Sequence, residues 1–181
     1  MKYVAFLRGI NVGGNVLIKM EDLKKAFEAG GFEDVKTILA SGNVMFESKN
    51  EDSEAVTVKI EALLKKKWKR EIPVFVRTID ELRKMADGRP FKGVDITPQT
   101  RRYVTFLYEY SRGLKIPELP TNMKITRMKD DAVFTVVELS EDLNSPDAME
   151  ALNKALGTKI TARNWNTIER ILNAANEPIS T

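Results

Sequence analysis

The sequence predicts an α+β chain of two related halves, each built on an antiparallel sheet, the first with the ferredoxin-like split βαβ order. Three observations carry this. Segments of the first half follow the order strand, connection, hairpin, helix, strand, helix. The order returns in the second half, where "YVTFL" (Tyr103–Leu107) repeats the "YVAFL" of Tyr3–Leu7. The one stretch rich in Gly and Pro, Gly88–Thr100, lies between the two and sets the expected boundary, with a ferredoxin-like subdomain over 1–90 and a second α+β subdomain over 91–181.

Each element has a local reason. Lys2–Leu7 is a short apolar run suited to a central strand. Met20–Ala29 places Met20, Leu23 and Phe27 at helical spacing and stops at Gly30-Gly31. "VKTILA" and "NVMFES" are strands around "SGN", a hairpin signal. Ser53–Trp68 collects Val56, Ile60, Leu63 and Leu64 on one helical face. "VFVR" is a strand, and Thr78-x-x-Glu81 is a capping box opening a short helix with Ile79, Leu82 and Ala86 inward. After the boundary come Tyr103–Leu107, "IPELP", strands over Met123–Met128 and Ala132–Leu139, and a helix Pro146–Leu156 with Ser145 as cap and Gly157 as stop. A strand Lys159–Ala162 leads to a last helix with Trp165, Ile168, Leu172 and Ala175 on its apolar face. Both closing helices follow an arginine, in "VRTIDEL" and "ARNWNTI". The repeat points to an internal duplication in which the first connection of the second copy is not helical.

Composition narrows the chemistry. The 181 residues hold 43% hydrophobic side chains, enough for a core, and 29 Lys and Arg against 26 Asp and Glu, a net charge of +3. That balance is too mild to imply nucleic acid by itself. There is no Cys, so disulfides, thiolate sites and Cys nucleophiles are excluded. There is no His, which removes the commonest base and metal ligand and every Ser-His-Asp arrangement. No metal or cofactor is expected. "MKYVAFLRG" is too short for a signal-peptide core and no run approaches a membrane helix, so the expectation is a cytoplasmic protein without a membrane partner.

The split βαβ order has a positional consequence. Strands 1 and 2 of that topology point the same way, so the loop after strand 1, the hairpin after strand 2 and the end of the second helix share one sheet edge. "RGINVGGN", "SGN" and "KKKWKR" should therefore lie together.

Gly9 and Gly14 have the spacing of a phosphate loop, but Asn15 and Val16 stand where Lys and Ser/Thr are required, which argues against a nucleotide triphosphatase. Glycines still expose N–H donors, and Arg8 adds a forked cation; the competing reading is a turn that needs positive φ. "ASGN" is ordinary turn chemistry made notable by its expected nearness to Arg8. "KKKWKR" (Lys65–Arg70) suits a nucleic-acid patch with an interleaved aromatic, but the stronger reading is a helix C-terminus whose cations complement its dipole. In "ARNWNTIER", Asn164 can cap the last helix and Trp165 starts its buried stripe. Arg163, Asn166 and Thr167 fall in or beside its first turn, a setting that favours anions. The carboxylates of "SEDLNSPD" and "KDD" suit turns and caps, and Tyr103, Tyr108 and Tyr110 suit packing.

Four ordered motifs, "FLRGINVGGN", "LASGNVMFES", "YVTFL" and "ARNWNT", resemble the bacterial and archaeal DUF1697 family over almost the whole chain. The resemblance implies two α+β subdomains, the first ferredoxin-like, and no reaction. Its motif positions are Arg8, Gly9, Asn11, Gly13, Gly14 and Asn15, then Ser41, Gly42 and Asn43, then Arg163, Asn164, Trp165, Asn166 and Thr167. The family often has threonine where this chain has Ala162. The leading functional expectation is a module for a phosphate-bearing ligand, a small molecule such as a nucleotide or a nucleic-acid backbone, held at Arg8, Gly9, Asn11, Gly13, Gly14, Asn15, Ser41, Gly42, Asn43, Arg163, Asn164, Asn166 and Thr167. Two alternatives stay open. One is an enzyme using Arg and Asn as electrophilic groups and a carboxylate such as Glu169 as base. The other is an interaction domain whose polar motifs only fix turns.

Overall fold

The computed structural model of the protein describes residues 1–11, 17–107, 119–129, 131–140, 145–157 and 160–176, the side chains at 145–148 and 155 aside. Along the chain run β1 (Lys2–Leu7), α1 (Met20–Ala29), β2 (Glu33–Ile38), β3 (Asn43–Glu47), α2 (Ser53–Trp68), β4 (Val74–Thr78) and α3 (Ile79–Asp87). There follow β5 (Thr100–Leu107), β6 (Met123–Lys129), β7 (Ala132–Glu138), α4 (Ser145–Leu156), β8 (Ile160–Asn164) and α5 (Trp165–Asn176). Two compact units emerge: Met1–Lys84 with the part of α5 from Arg170 onward, and Met85–Glu169.

The first unit has the antiparallel sheet order β2-β3-β1-β4, the ferredoxin-like order read from the sequence. Tyr3, Ala5 and Leu7 of β1 join Val44, Phe46, Val74 and Val76 in one core with Leu23 and Phe27 of α1 and Val56, Ile60 and Leu64 of α2. Rings of Tyr3, Phe27, Phe32 and Phe46 interlock there, Phe32 meeting Phe46 edge-on at 4.7 Å. Burying each such side chain is worth about 1.5–3 kcal/mol against exposure. The capping box forms in full: Thr78 N–H donates to Glu81 Oε2 at 2.6 Å and Glu81 N–H to Thr78 Oγ1 at 3.1 Å.

The second unit repeats the order, β6-β7-β5-β8. The registers also repeat. Tyr3, Val4 and Leu7 face Thr78, Arg77 and Val74 across the sheet, and Tyr103, Val104 and Leu107 face Asn164, Arg163 and Ile160 in the same succession. On the other side, Leu7 N–H donates to Gly42 O and Leu107 N–H to Asp131 O, both at 2.8 Å. Equivalent strands thus pair residue for residue, which is what an internal duplication leaves. The match extends to contrast: Ala5 and Phe46 of the first unit correspond to Thr105 and Thr135 in the second, both fully buried and neither hydroxyl hydrogen-bonded among the described residues. Residues 108–118, where a non-helical connection is expected, and with them Tyr108 and Tyr110, lie outside the described residues.

Four details differ from the sequence reading. β2 ends at Ile38, because Leu39 takes φ +59°, which a strand does not permit, so Leu39–Gly42 is a four-residue turn. β8 extends through Asn164, into the motif. The buried stripe of α5 runs through Ile168 and Ile171, while Leu172 is half-buried. Gly88–Thr100 is not a bare linker either: Phe91 packs edge-on against Phe134 and Trp165 at 5.9 and 5.3 Å.

Candidate functional site

At one end of the first sheet, the close of β1 meets three other segments. Leu7 N–H donates to Gly42 O of the β2–β3 turn at 2.8 Å, and Arg8 N–H to Pro73 O, just before β4, at 2.9 Å. Asn11 Nδ2 donates to Ala40 O in that same turn at 2.8 Å. Lys67 Nζ, near the end of α2, donates to Asp22 O at the start of α1 at 3.0 Å. "RGIN", "SGN" and the end of "KKKWKR" are therefore gathered at one end, as the strand directions require.

The side chains in this cluster divide by role. Asn11, at φ +55°, also donates from Nδ2 to Ile18 O at 2.9 Å and accepts Ile18 N–H on Oδ1 at 2.8 Å. It closes the loop that leaves β1 and ties it to the hairpin. Asparagine suits the position because it tolerates left-handed backbone and offers both a donor and an acceptor. Asn43, fully buried, donates to Ile38 O at 2.9 Å and Ser41 Oγ at 3.0 Å, clamping the turn from inside. Gly42, at φ +76°, has no room for a side chain: a Cβ would lie 2.6 Å from Ile10 Cδ1 and 3.1 Å from Leu7 Cβ. Gly9, at φ +69°, faces open space. Arg8 is half-buried, and its guanidinium has no hydrogen bond or ion pair among the described residues. Gly13, Gly14 and Asn15 lie outside the described residues.

The second motif belongs to the other unit. Asn164 Oδ1 accepts Asn166 N–H at 2.9 Å, capping α5 as its position suggests. Trp165 and Thr167 are buried. Asn166 Oδ1 and Glu169 Oε1 both face Arg102 Nη2, at 3.2 and 3.5 Å, so the carboxylate considered as a base is an arginine partner. Arg102, whose guanidinium also lies over the Phe91 ring at 5.6 Å, had only the unremarkable "RR" before "YVTFL" to signal it.

Arg163 has a structural twin. Residues facing Val4 and Val104 bond to the central strand, so the backbone of their neighbours points to the open sheet edge. There Arg77 Nη1 donates to Val76 O at 2.6 Å, and Arg163 Nη1 to Ala162 O at 2.9 Å and Thr161 Oγ1 at 2.8 Å. Glu61 and Glu81 take the outward N–H groups of Val74 and Thr78 at 3.0 and 2.6 Å. These charges blunt edge strands that would otherwise offer unpaired groups to another chain. Burial lowers the pKa of the Arg163 guanidinium to about 10.

At the end of α2, Lys65 pairs with Glu71 at 2.8 Å; that contact holds the glutamate below its ordinary 4.5 and raises the lysine. Trp68 is half-buried against the core, with Lys67 Nζ over its ring at 5.1 Å. Among the described residues no group of three acidic side chains could hold a metal ion.

The family model described as a protein of unknown function, DUF1697, matches residues 1–134, a span that includes the loop after β1, the hairpin and both central strands. The chain belongs to the DUF1697 family. Among solved structures it is similar to a conserved bacterial protein, SP0830, from Streptococcus pneumoniae, at 23% identity and a TM-score of 0.71, over 95% of this chain and 97% of the other. That likeness carries the fold. No curated protein matches the chain. Among the described residues, the motif side chains of Asn11, Asn43, Arg163, Asn164 and Asn166 are held by hydrogen bonds within turns, caps and edges, whereas the Arg8 guanidinium has none.

Proposed function

We propose that the first unit is a binding module for a phosphate-bearing ligand, with Arg8 as its cation. One observation supports the reading above the rest: Arg8 is half-buried, fixed through its backbone to Pro73 O, and its guanidinium meets no acceptor among the described residues. A partly buried cation without a partner gives up hydration and gains no ion pair, a deficit that an incoming anion makes good. Gly9 beside it, with open space where a Cβ would stand, lets a ligand oxygen approach the backbone. Gly13, Gly14 and Asn15 join this reading on their sequence alone. The reading is confined to the first unit, because Asn164 and Asn166 are engaged within their own.

Thermal unfolding with inorganic phosphate, pyrophosphate and mononucleotides tests it. A true ligand at 100 times its dissociation constant stabilises by about 2.7 kcal/mol. Wild type should gain that stability and Arg8→Ala should not, while the two melt alike without ligand. Equal stabilisation of both, or of neither, would end the proposal.

A further inference from the structure

The phosphate reading leaves unexplained two exposed leucines at the same end of the first unit. Leu17 is 80% exposed and Leu39 is 43% exposed. They sit on different segments, one entering α1 and one in the β2–β3 turn. Asn11 binds the residue that follows each of them, through Ile18 O and Ala40 O, so the two are held beside the same side chain. Leu39 also adopts φ +59°, a conformation unfavourable to a branched aliphatic residue. Folding covers only part of that side chain in return, and backbone strain of this kind clusters at functional positions.

Exposed charge stands at this end of the unit, with the acidic Glu21 and Asp22 in the first turn of α1 among it. Lys19 is the exposed cap residue of α1, and Lys66 and Lys69 are exposed at the end of α2; none of the three has an ion pair among the described residues. The bond from Lys67 to Asp22 O brings the end of α2 to the start of α1, and the bond from Arg8 N–H to Pro73 O joins the loop after β1 to the start of β4.

We propose that this end of the unit docks on an anionic phospholipid surface. Leu17 and Leu39 enter the acyl boundary while Arg8, Lys19, Lys66 and Lys69 meet headgroup phosphates. This rests on the phosphate reading and names its ligand class. Aliphatic tips framed by cations are the chemistry of interfacial binding. Single-stranded nucleic acid fits less well: it is held by base stacking on open aromatic faces, and the aromatic here, Trp68, is half-buried under Lys67. No helix among the described residues is long and apolar enough to cross a membrane, which bears on spanning and not on docking.

Co-sedimentation of the full chain with phosphatidylcholine vesicles, with and without phosphatidylglycerol, tests the proposal. Binding should require phosphatidylglycerol and weaken with added salt. Lys66→Ala and Lys69→Ala should each lower the partition coefficient about fivefold. Leu17→Ser and Leu39→Ser should each lower it about tenfold, with melting temperatures unchanged or, for Leu39→Ser, not raised. No sedimentation, sedimentation with neutral vesicles alone, or indifference to both leucine changes would overturn it. So would tight binding of a single-stranded oligonucleotide that both leucine variants retain. Stabilisation by inorganic phosphate without vesicle binding defeats this inference alone; loss of both defeats the phosphate reading as well.

Discussion

Replacing Asn11 with alanine removes three hydrogen bonds at once, to Ile18 O, from Ile18 N–H and to Ala40 O, at 2.8–2.9 Å. Each is worth about 1 kcal/mol net, and stranding the part-buried Ile18 amide adds to the loss. Alanine at φ +55° adds about 1 kcal/mol of strain that asparagine avoids in part. The expected cost is about 3–4 kcal/mol, a large share of the roughly 5–15 kcal/mol that holds a domain folded. Urea denaturation of the full chain reads it through Trp68, in a Trp165→Phe background that silences the other indole. Asn11→Gly should recover about 1 kcal/mol, because glycine accepts the backbone angle. Asn11→Asp keeps the acceptor for Ile18 N–H but turns a carboxylate toward two carbonyls. That raises the folded-state pKa of the introduced acid, so its penalty is full at neutral pH and shrinks as pH falls through that value. An Asn11→Ala cost below about 1 kcal/mol would refute the reasoning and return Asn11 to the list of residues free for a ligand.

Gly9 and Gly42 should respond differently. Both have positive φ, but Gly42→Ala meets Ile10, which is buried in the core and cannot swing away, so it should cost about 3 kcal/mol against about 1 for Gly9→Ala. Equal costs in denaturation would show that the turn relaxes freely. In the second unit, Thr105→Val and Thr135→Val should each stabilise by about 1 kcal/mol, by removing a buried hydroxyl that lacks a partner at nearly constant volume. A destabilised variant, monitored at Trp165, would mean that the hydroxyl is satisfied in solution.

Short-range chemistry makes much of this protein legible in its sequence. Periodicity placed α1, α2 and the central strands, Thr78-x-x-Glu81 announced a cap that forms in full, and Gly157 stops α4 at φ +86°. Strand order alone implied that Arg8, Ser41 and the end of α2 would meet, because β1 and β2 run parallel on either side of β3. The resemblance in four motifs was specific enough to indicate the family. Composition also limited the chemistry: a chain with neither His nor Cys has no classical triad or thiolate site in any conformation.

What each motif residue does was decided by tertiary structure. Asn11 reads as a ligand group in sequence, yet its partners stand 7 and 29 residues away, distances over which no local pattern carries information. Arg163 reads as an anion site at a helix start, but its place in β8 aims it at the carbonyl of its own edge strand, as Arg77 does in β4. Arg102 was unremarkable until the sheet set it beside Asn166 and Glu169. Leu39 reads as the end of a strand, and only the backbone shows it turned out at positive φ. Periodicity is a local property of the chain, fixed by which side chains each helix or strand must bury. A side chain's partners are a property of the closed sheet, which brings distant residues within 3 Å and so decides which polar groups are consumed by the fold and which are left for a ligand.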